Sequence, residues 1–128
     1  MKNIEPWELL HLNQRLLKRY GGFNAAASEN RLARIEALCS RVEQIRQYEE
    51  LKTPVEVGAI YCEAIARGHA FVDANKRTAV NAMYLFFHRN GVQTKVPSDL
   101  ADFIVKVSTG EVSRKNALAY IERNCLAN

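Results

Sequence analysis

The stretch His69-Ala70-Phe71-Val72-Asp73-Ala74-Asn75-Lys76-Arg77 places a histidine, a carboxylate, an asparagine and two cations within nine consecutive residues. Histidine titrates near neutrality and can take a proton from an attacking hydroxyl. The Asp73 carboxylate can hold the magnesium that accompanies a nucleotide. A helix start offers free backbone N–H groups and a partial positive charge, a seat for phosphate. Lys76 and Arg77 fall in what reads as a first helical turn, where acidic residues are usually preferred; their presence makes sense if an anion binds there. Asn75 can donate from its amide and can also cap the helix. Phe71, between base and carboxylate, is expected to point into the core and fix the loop. Each residue alone has an ordinary explanation: a loop histidine, a cap, solvated cations. Their coincidence at one helix start weighs against it.

Helical periodicity predicts the elements that must position this cluster. A first helix begins at Pro6, carries Trp7, Leu9, Leu10, Leu12, Leu16, Leu17 and Tyr20 at helical spacing, and stops at Gly21-Gly22. After a loop over residues 21–30, Leu32, Ile35, Leu38, Val42 and Ile45 form a stripe on a second helix. Its other face, with Arg31, Arg34, Arg41 and Arg46, reads as solvated surface. Thr53-Pro54-Val55-Glu56 is a capping box opening a third helix that Gly68 ends. The fourth should run from Asn75 to Asn90; from Ala79 it reads AVNAMYLFF, apolar on nearly every side, as for a helix surrounded by others. After an extended GVQTKVP link, Ser98 can cap a fifth helix and Ser113 a last one. The expected architecture is all-α, about six helices around a central buried helix with the motif loop at its N-terminus.

The 128 residues suit one compact domain, residues 1–128. With 48% hydrophobic and 25% charged residues, the composition is that of a folding globular chain. Glu5, Pro6 and Glu8 interrupt the N-terminal stretch, so it does not read as a secretory signal, and no apolar run is long enough for a membrane span. A cytoplasmic protein is expected. Cys39, Cys62 and Cys125 are odd in number and lack metal-site spacing, so buried thiols are expected for at least two. A net charge of +4 favours acidic partners but is too mild for a nucleic-acid footprint, and no direct nucleic-acid binding is expected.

Residues 69–77 resemble the signature of the Fic/Doc family, H-x-F-x-D/E-G/A-N-G/K-R. Tyr20-Gly21-Gly22, Ala64-Ile65-Ala66-Arg67-Gly68 and Thr109-Gly110-Glu111 are similar to its Doc branch, so the resemblance spans nearly the whole chain. Fic adenylyltransferases usually have glycine where Lys76 stands and a second arginine where Val80 stands. The Doc-like residues here imply a toxin of Fic fold that transfers the γ-phosphate of ATP. The resemblance then makes His69 the base and Asp73 the magnesium ligand. Asn75, Lys76 and Arg77 would bind phosphate, while Phe71 and Ala74 position the motif. It further implies a threonine of elongation factor Tu as target, arrest of translation, and a Phd-like antitoxin as partner. Adenylyl transfer and a non-catalytic nucleotide- or partner-binding module are the alternatives.

Segment 47–54, QYEELKTP, lies where family members carry a flap that holds a target strand; docking and plain connection stand equal there. Glu29-Asn30 resembles part of the family's inhibitory motif, but Ala25 occupies its serine or threonine position, so no built-in inhibitor is expected. His11 and His88 lack metal-ligand spacing and read as surface or satisfied core residues, and Tyr84, Phe86 and Phe87 read as core.

Overall fold

The computed structural model describes residues 1–22, 31–71 and 74–127. Six helices account for its regular structure: α1 Pro6–Tyr20, α2 Arg31–Tyr48, α3 Pro54–Gly68, α4 Asn75–Arg89, α5 Leu100–Thr109 and α6 Arg114–Asn124. Among the described residues there is no strand, only an antiparallel bridge between Thr94 and Leu126 that ties the GVQTKVP link to the chain end. No described helix is long and apolar enough to cross a membrane.

The expected all-α architecture is present, and its centre is a pair of helices. Antiparallel α3 and α4 form the closest helix pair; α1 and α5 also pack on α4, while α2, α5 and α6 pack on α3. The buried face of α3 carries Val57, Ile60, Tyr61 and Ile65, that of α4 Met83, Phe86 and Phe87. Glycine brings the two helices together: a Cβ built on Gly58 would lie 2.2 Å from Cε1 of Phe87. Tyr61 and Phe86 rings meet one turn further along, at 5.3 Å. The cluster at residues 69–77 thus sits at the opposite end of this pair, between the end of α3 and the start of α4.

Local signals explain most boundaries. Thr53 accepts from the Glu56 N–H and Glu56 reaches back to Thr53, completing the capping box of α3. Ser113 accepts from the Asn116 N–H at the start of α6. Gly110 turns left-handed to end α5. Gly68 is the last residue of α3, as expected, and the left-handed position after it falls on His69. Other expectations need correction. Ser98 does not cap α5; Asp99 holds the N-cap position, and its carboxylate accepts instead from the Tyr120 hydroxyl at 2.6 Å. The fourth helix ends at Arg89 with Asn90 as its cap. Trp7, Tyr20 and Leu32 point outward rather than into the core. The inward stripe of α2 is Arg31, Ile35, Leu38 and Val42, so one of the arginines assigned to its solvated face is buried.

Segment 47–54 is a closed turn. The N–H groups of Glu49, Glu50 and Leu51 bond to carbonyls in the last turn of α2, and the Arg114 guanidinium joins Glu49 to Glu63. The residues compared with the inhibitory motif, Ala25, Glu29 and Asn30, lie outside the described residues, as does Asp73.

Candidate active site

Two non-glycine residues in left-handed backbone bracket the motif loop: His69 at φ 49°, ψ 33° and Ala74 at φ 62°, ψ 29°. Such positions carry a steric cost for any side chain and persist only where the surroundings hold them. Here the hold is visible. Phe71 is 3% exposed and anchors the loop in the core, as its sequence position implied. The Asn75 amide donates to the Phe71 carbonyl at 2.9 Å, and its oxygen accepts from the Phe71 N–H at 3.2 Å. Arg31 donates to the carbonyl of buried Ala70. Asn75 is therefore not the helix cap; Ala74 occupies that position, and Asn75 ties the first turn of α4 to the loop.

The start of α4 opens into a cleft of about 890 Å³. His69, Ala74, Asn75, Lys76 and Arg77 line it together, so the structure brings together five of the expected site residues. Its other side comes from α5 and is largely apolar, through Leu100, Ala101, Ile104 and Val105, with Ser108 and Thr109 at the end of the helix. His69, Lys76 and Arg77 are exposed. The first N–H groups of α4 have no acceptor within the helix, and its N-cap residue, Ala74, has no polar side chain to offer them. The cleft therefore combines two exposed cations with the positive end of a helix dipole, beside an exposed imidazole. Asn75 keeps one amide hydrogen for an anion after its bond to Phe71. The Arg77 guanidinium lies 4.4 Å from the centre of the Tyr20 ring, which stations it at the rim. Val80, one turn further along α4, lines the cleft with an apolar side chain.

Beneath the cleft lie the buried polar side chains of the described core: Asn13, Arg31 and Thr78. Asn13 of α1 donates to the Thr78 hydroxyl at 3.0 Å, fastening the second turn of α4 to α1. Neither Asn13 nor Arg31 stands out as functional in the sequence. The available signal was positional: Asn13 follows Leu9 by four residues and interrupts an apolar stripe, and Arg31 precedes Ile35 by four and heads one. The α5 wall carries no sequence signal of this kind.

Other chemistries find little support. Burial pushes the Cys39 thiol up to about 11 and that of Cys62 to about 12, so neither supplies a thiolate near neutrality. Cys62 and Cys125 are buried, as expected for two of the three. His11 and His88 are exposed on helices. Among the described residues no group of three or more histidine, cysteine, aspartate or glutamate side chains could hold a metal ion. A magnesium ion needs no such group, because it is commonly held by one or two carboxylates together with substrate phosphates.

The profile of the Fic/DOC family matches residues 3–87, two-thirds of the chain and the whole motif. The chain belongs to the Fic/DOC family. It is 45% identical over 113 residues to the protein kinase doc of Escherichia phage P1, an alignment covering 88% of this chain and 87% of that protein. It is also 48% identical over 42 residues to a toxin Doc of Mycolicibacterium smegmatis, covering 33% of this chain and 32% of that one. The motif of this Fic/DOC chain thus lies at the end of its central helix pair, where the cleft opens.

Proposed function

We propose that this chain is a toxin, one domain over residues 1–128, that phosphorylates a protein hydroxyl with Mg-ATP. The observation that carries this reading is the cleft, where exposed His69 shares one wall with Lys76, Arg77 and the first turn of α4. The likeness to proteins named protein kinase doc and toxin Doc supports it. Polyphosphate fits this wall by charge and by hydrogen-bond donors, and the largely apolar α5 side fits the rest of a nucleotide.

In the proposed reaction the target hydroxyl enters beside His69. Its oxygen forms the new bond to the γ-phosphorus as the bond to the β–γ bridging oxygen breaks, and the hydroxyl proton passes to the imidazole. Lys76, Arg77, the free amide hydrogen of Asn75 and the first N–H groups of α4 stabilise charge on the phosphate oxygens. Asp73 would hold magnesium, which when bound neutralises phosphate charge. Lys76 and Val80 favour this outcome over adenylyl transfer: the chain supplies a cation in the first turn and none at residue 80. The target proposed is a threonine of elongation factor Tu, the setting the cytoplasm, and the neutralising partner a Phd-like antitoxin.

Intact-mass analysis of elongation factor Tu after incubation with this protein and Mg-ATP tests the reading, with His69→Ala as control. A phosphate increment absent from the control is expected. An AMP increment would overturn the phosphotransfer assignment, and no increment would overturn the target. A His69→Ala variant as active as the parent would remove His69 from its role.

A further inference from the structure

We propose that Arg31 is a positioning residue for the reaction: from the first turn of α2 it fixes the Ala70–Phe71 peptide unit, one residue beyond His69, and so sets the direction of the imidazole. The proposal rests on the reading of His69 as the base. Arg31 is 5% exposed, an unusual place for a guanidinium, and its Nη1 donates to the carbonyl oxygen of Ala70. The other edge of that same peptide plane, the N–H of Phe71, donates to Asn75 Oδ1 at 3.2 Å. One peptide unit is thus held from two helices, by α2 through its oxygen and by α4 through its nitrogen.

Rotation of this plane changes ψ of Ala70 and φ of Phe71, the torsions between His69 and the Phe71 anchor. With Phe71 buried and the plane pinned at both edges, the left-handed backbone of His69 has little freedom to relax into a commoner region. Arginine suits the task. Its guanidinium is rigid, stays charged, only donates, and tolerates burial better than an ammonium. The burial also explains why Arg31, rather than Leu32, begins the inward stripe of α2.

The test uses Arg31→Met, with Arg31→Gln as the second variant; the glutamine amide is too short to reach Ala70. The protein has three histidines, so in spectra of histidine-labelled protein His11 and His88 act as internal references for His69. In the folded variant the His69 ring signal should shift or broaden while the other two stay put. The kcat for phosphate transfer should fall on the order of ten- to a hundredfold, with KM for ATP changed less than about twofold, because a misplaced reacting group costs rate rather than nucleotide binding. Arg31→Lys should recover part of kcat. An unmoved His69 signal together with an unchanged kcat, in whichever of the two variants folds, would overturn the proposal. The failure of the underlying reading looks different: His69→Ala would then keep its activity, whatever the His69 signal does in the Arg31 variants.

Discussion

Replacing Asn75 separates holding the loop from binding the anion. Asn75→Ala removes two hydrogen bonds to the Phe71 backbone, at 2.9 and 3.2 Å. At about 0.5–1.5 kcal/mol net for each bond, the closed loop loses about 1–3 kcal/mol relative to opened forms. A tenfold change per 1.4 kcal/mol makes this about a 5- to 150-fold drop in the closed-to-open ratio. Alanine returns up to about 0.7 kcal/mol through helix propensity, so global unfolding should show a smaller loss than the loop does. Asn75→Asp sharpens the distinction. Its carboxylate can still accept from the Phe71 N–H and gains about 0.3–1 kcal/mol from the start of the helix, but it cannot donate to the Phe71 carbonyl and would repel phosphate. Urea unfolding followed by circular dichroism should place Asn75→Asp near the parent, while calorimetric titration with Mg-ATP should find its affinity lowered more than that of Asn75→Ala. An Asn75→Asp protein that binds ATP as tightly as the parent would refute the reasoning, as would an Asn75→Ala protein with unaltered stability and activity.

Gly58→Ala forces a Cβ to within 2.2 Å of the fully buried Phe87 ring; overpacking of about 1–3 kcal/mol should exceed the roughly 1 kcal/mol helix-propensity gain, and adding Phe87→Leu should recover stability in urea melts. A Gly58→Ala protein more stable than the parent would contradict the close α3–α4 approach. The Arg89 guanidinium, bonded to Glu8 at 2.8 Å, holds the Glu8 carboxyl below its ordinary value of 4.5. A depressed carboxylate stabilises the fold above that ordinary value and loses the contribution as pH falls through its lowered folded value, so the stability gap between parent and Arg89→Met should close in acid. A gap that stays constant from neutrality to strong acid would exclude the linkage. Tyr20→Leu should weaken ATP binding by about two- to fivefold, the equivalent of a half-exposed cation–π contact of about 0.5–1 kcal/mol, and Tyr20→Phe should not. Equal affinities for the two variants would mean that the ring face does not station Arg77.

The helices were legible because their signals are local. The Thr53 box, the Ser113 cap, Gly110 and the all-round apolar run of α4 are each decided within a turn or two of the chain. Errors came where a distant partner decides. Ser98 looks like a cap, but Asp99 takes that position and Tyr120, 21 residues away, engages its carboxylate. Trp7 and Leu32 match the helical period of their neighbours, and only the arrangement of α1 and α2 against the central pair leaves them outside. Helix count follows from periodicity, whereas which edge of a stripe faces inward follows from packing.

The site divides along the same line. The residues proposed to meet a ligand, His69, Lys76 and Arg77, are exposed and fall within nine positions of the chain, and their chemical types are readable without a fold. Residues that hold them come from elsewhere: Tyr20 at the end of α1, Asn13 within it, Arg31 at the start of α2. The loop needs that support because it is locally unfavourable, with His69 and Ala74 both left-handed and neither a glycine. A backbone of this kind cannot be specified by its own residues, since their local preferences oppose it. The opposing preference is overcome by side chains that are polar, buried and remote, the class a linear reading assigns to surface or to ordinary core. A buried polar residue in an apolar helical stripe therefore marks where a helix reaches across to a neighbouring segment, and here Arg31 reaches the loop at Ala70 and Asn13 reaches α4 at Thr78.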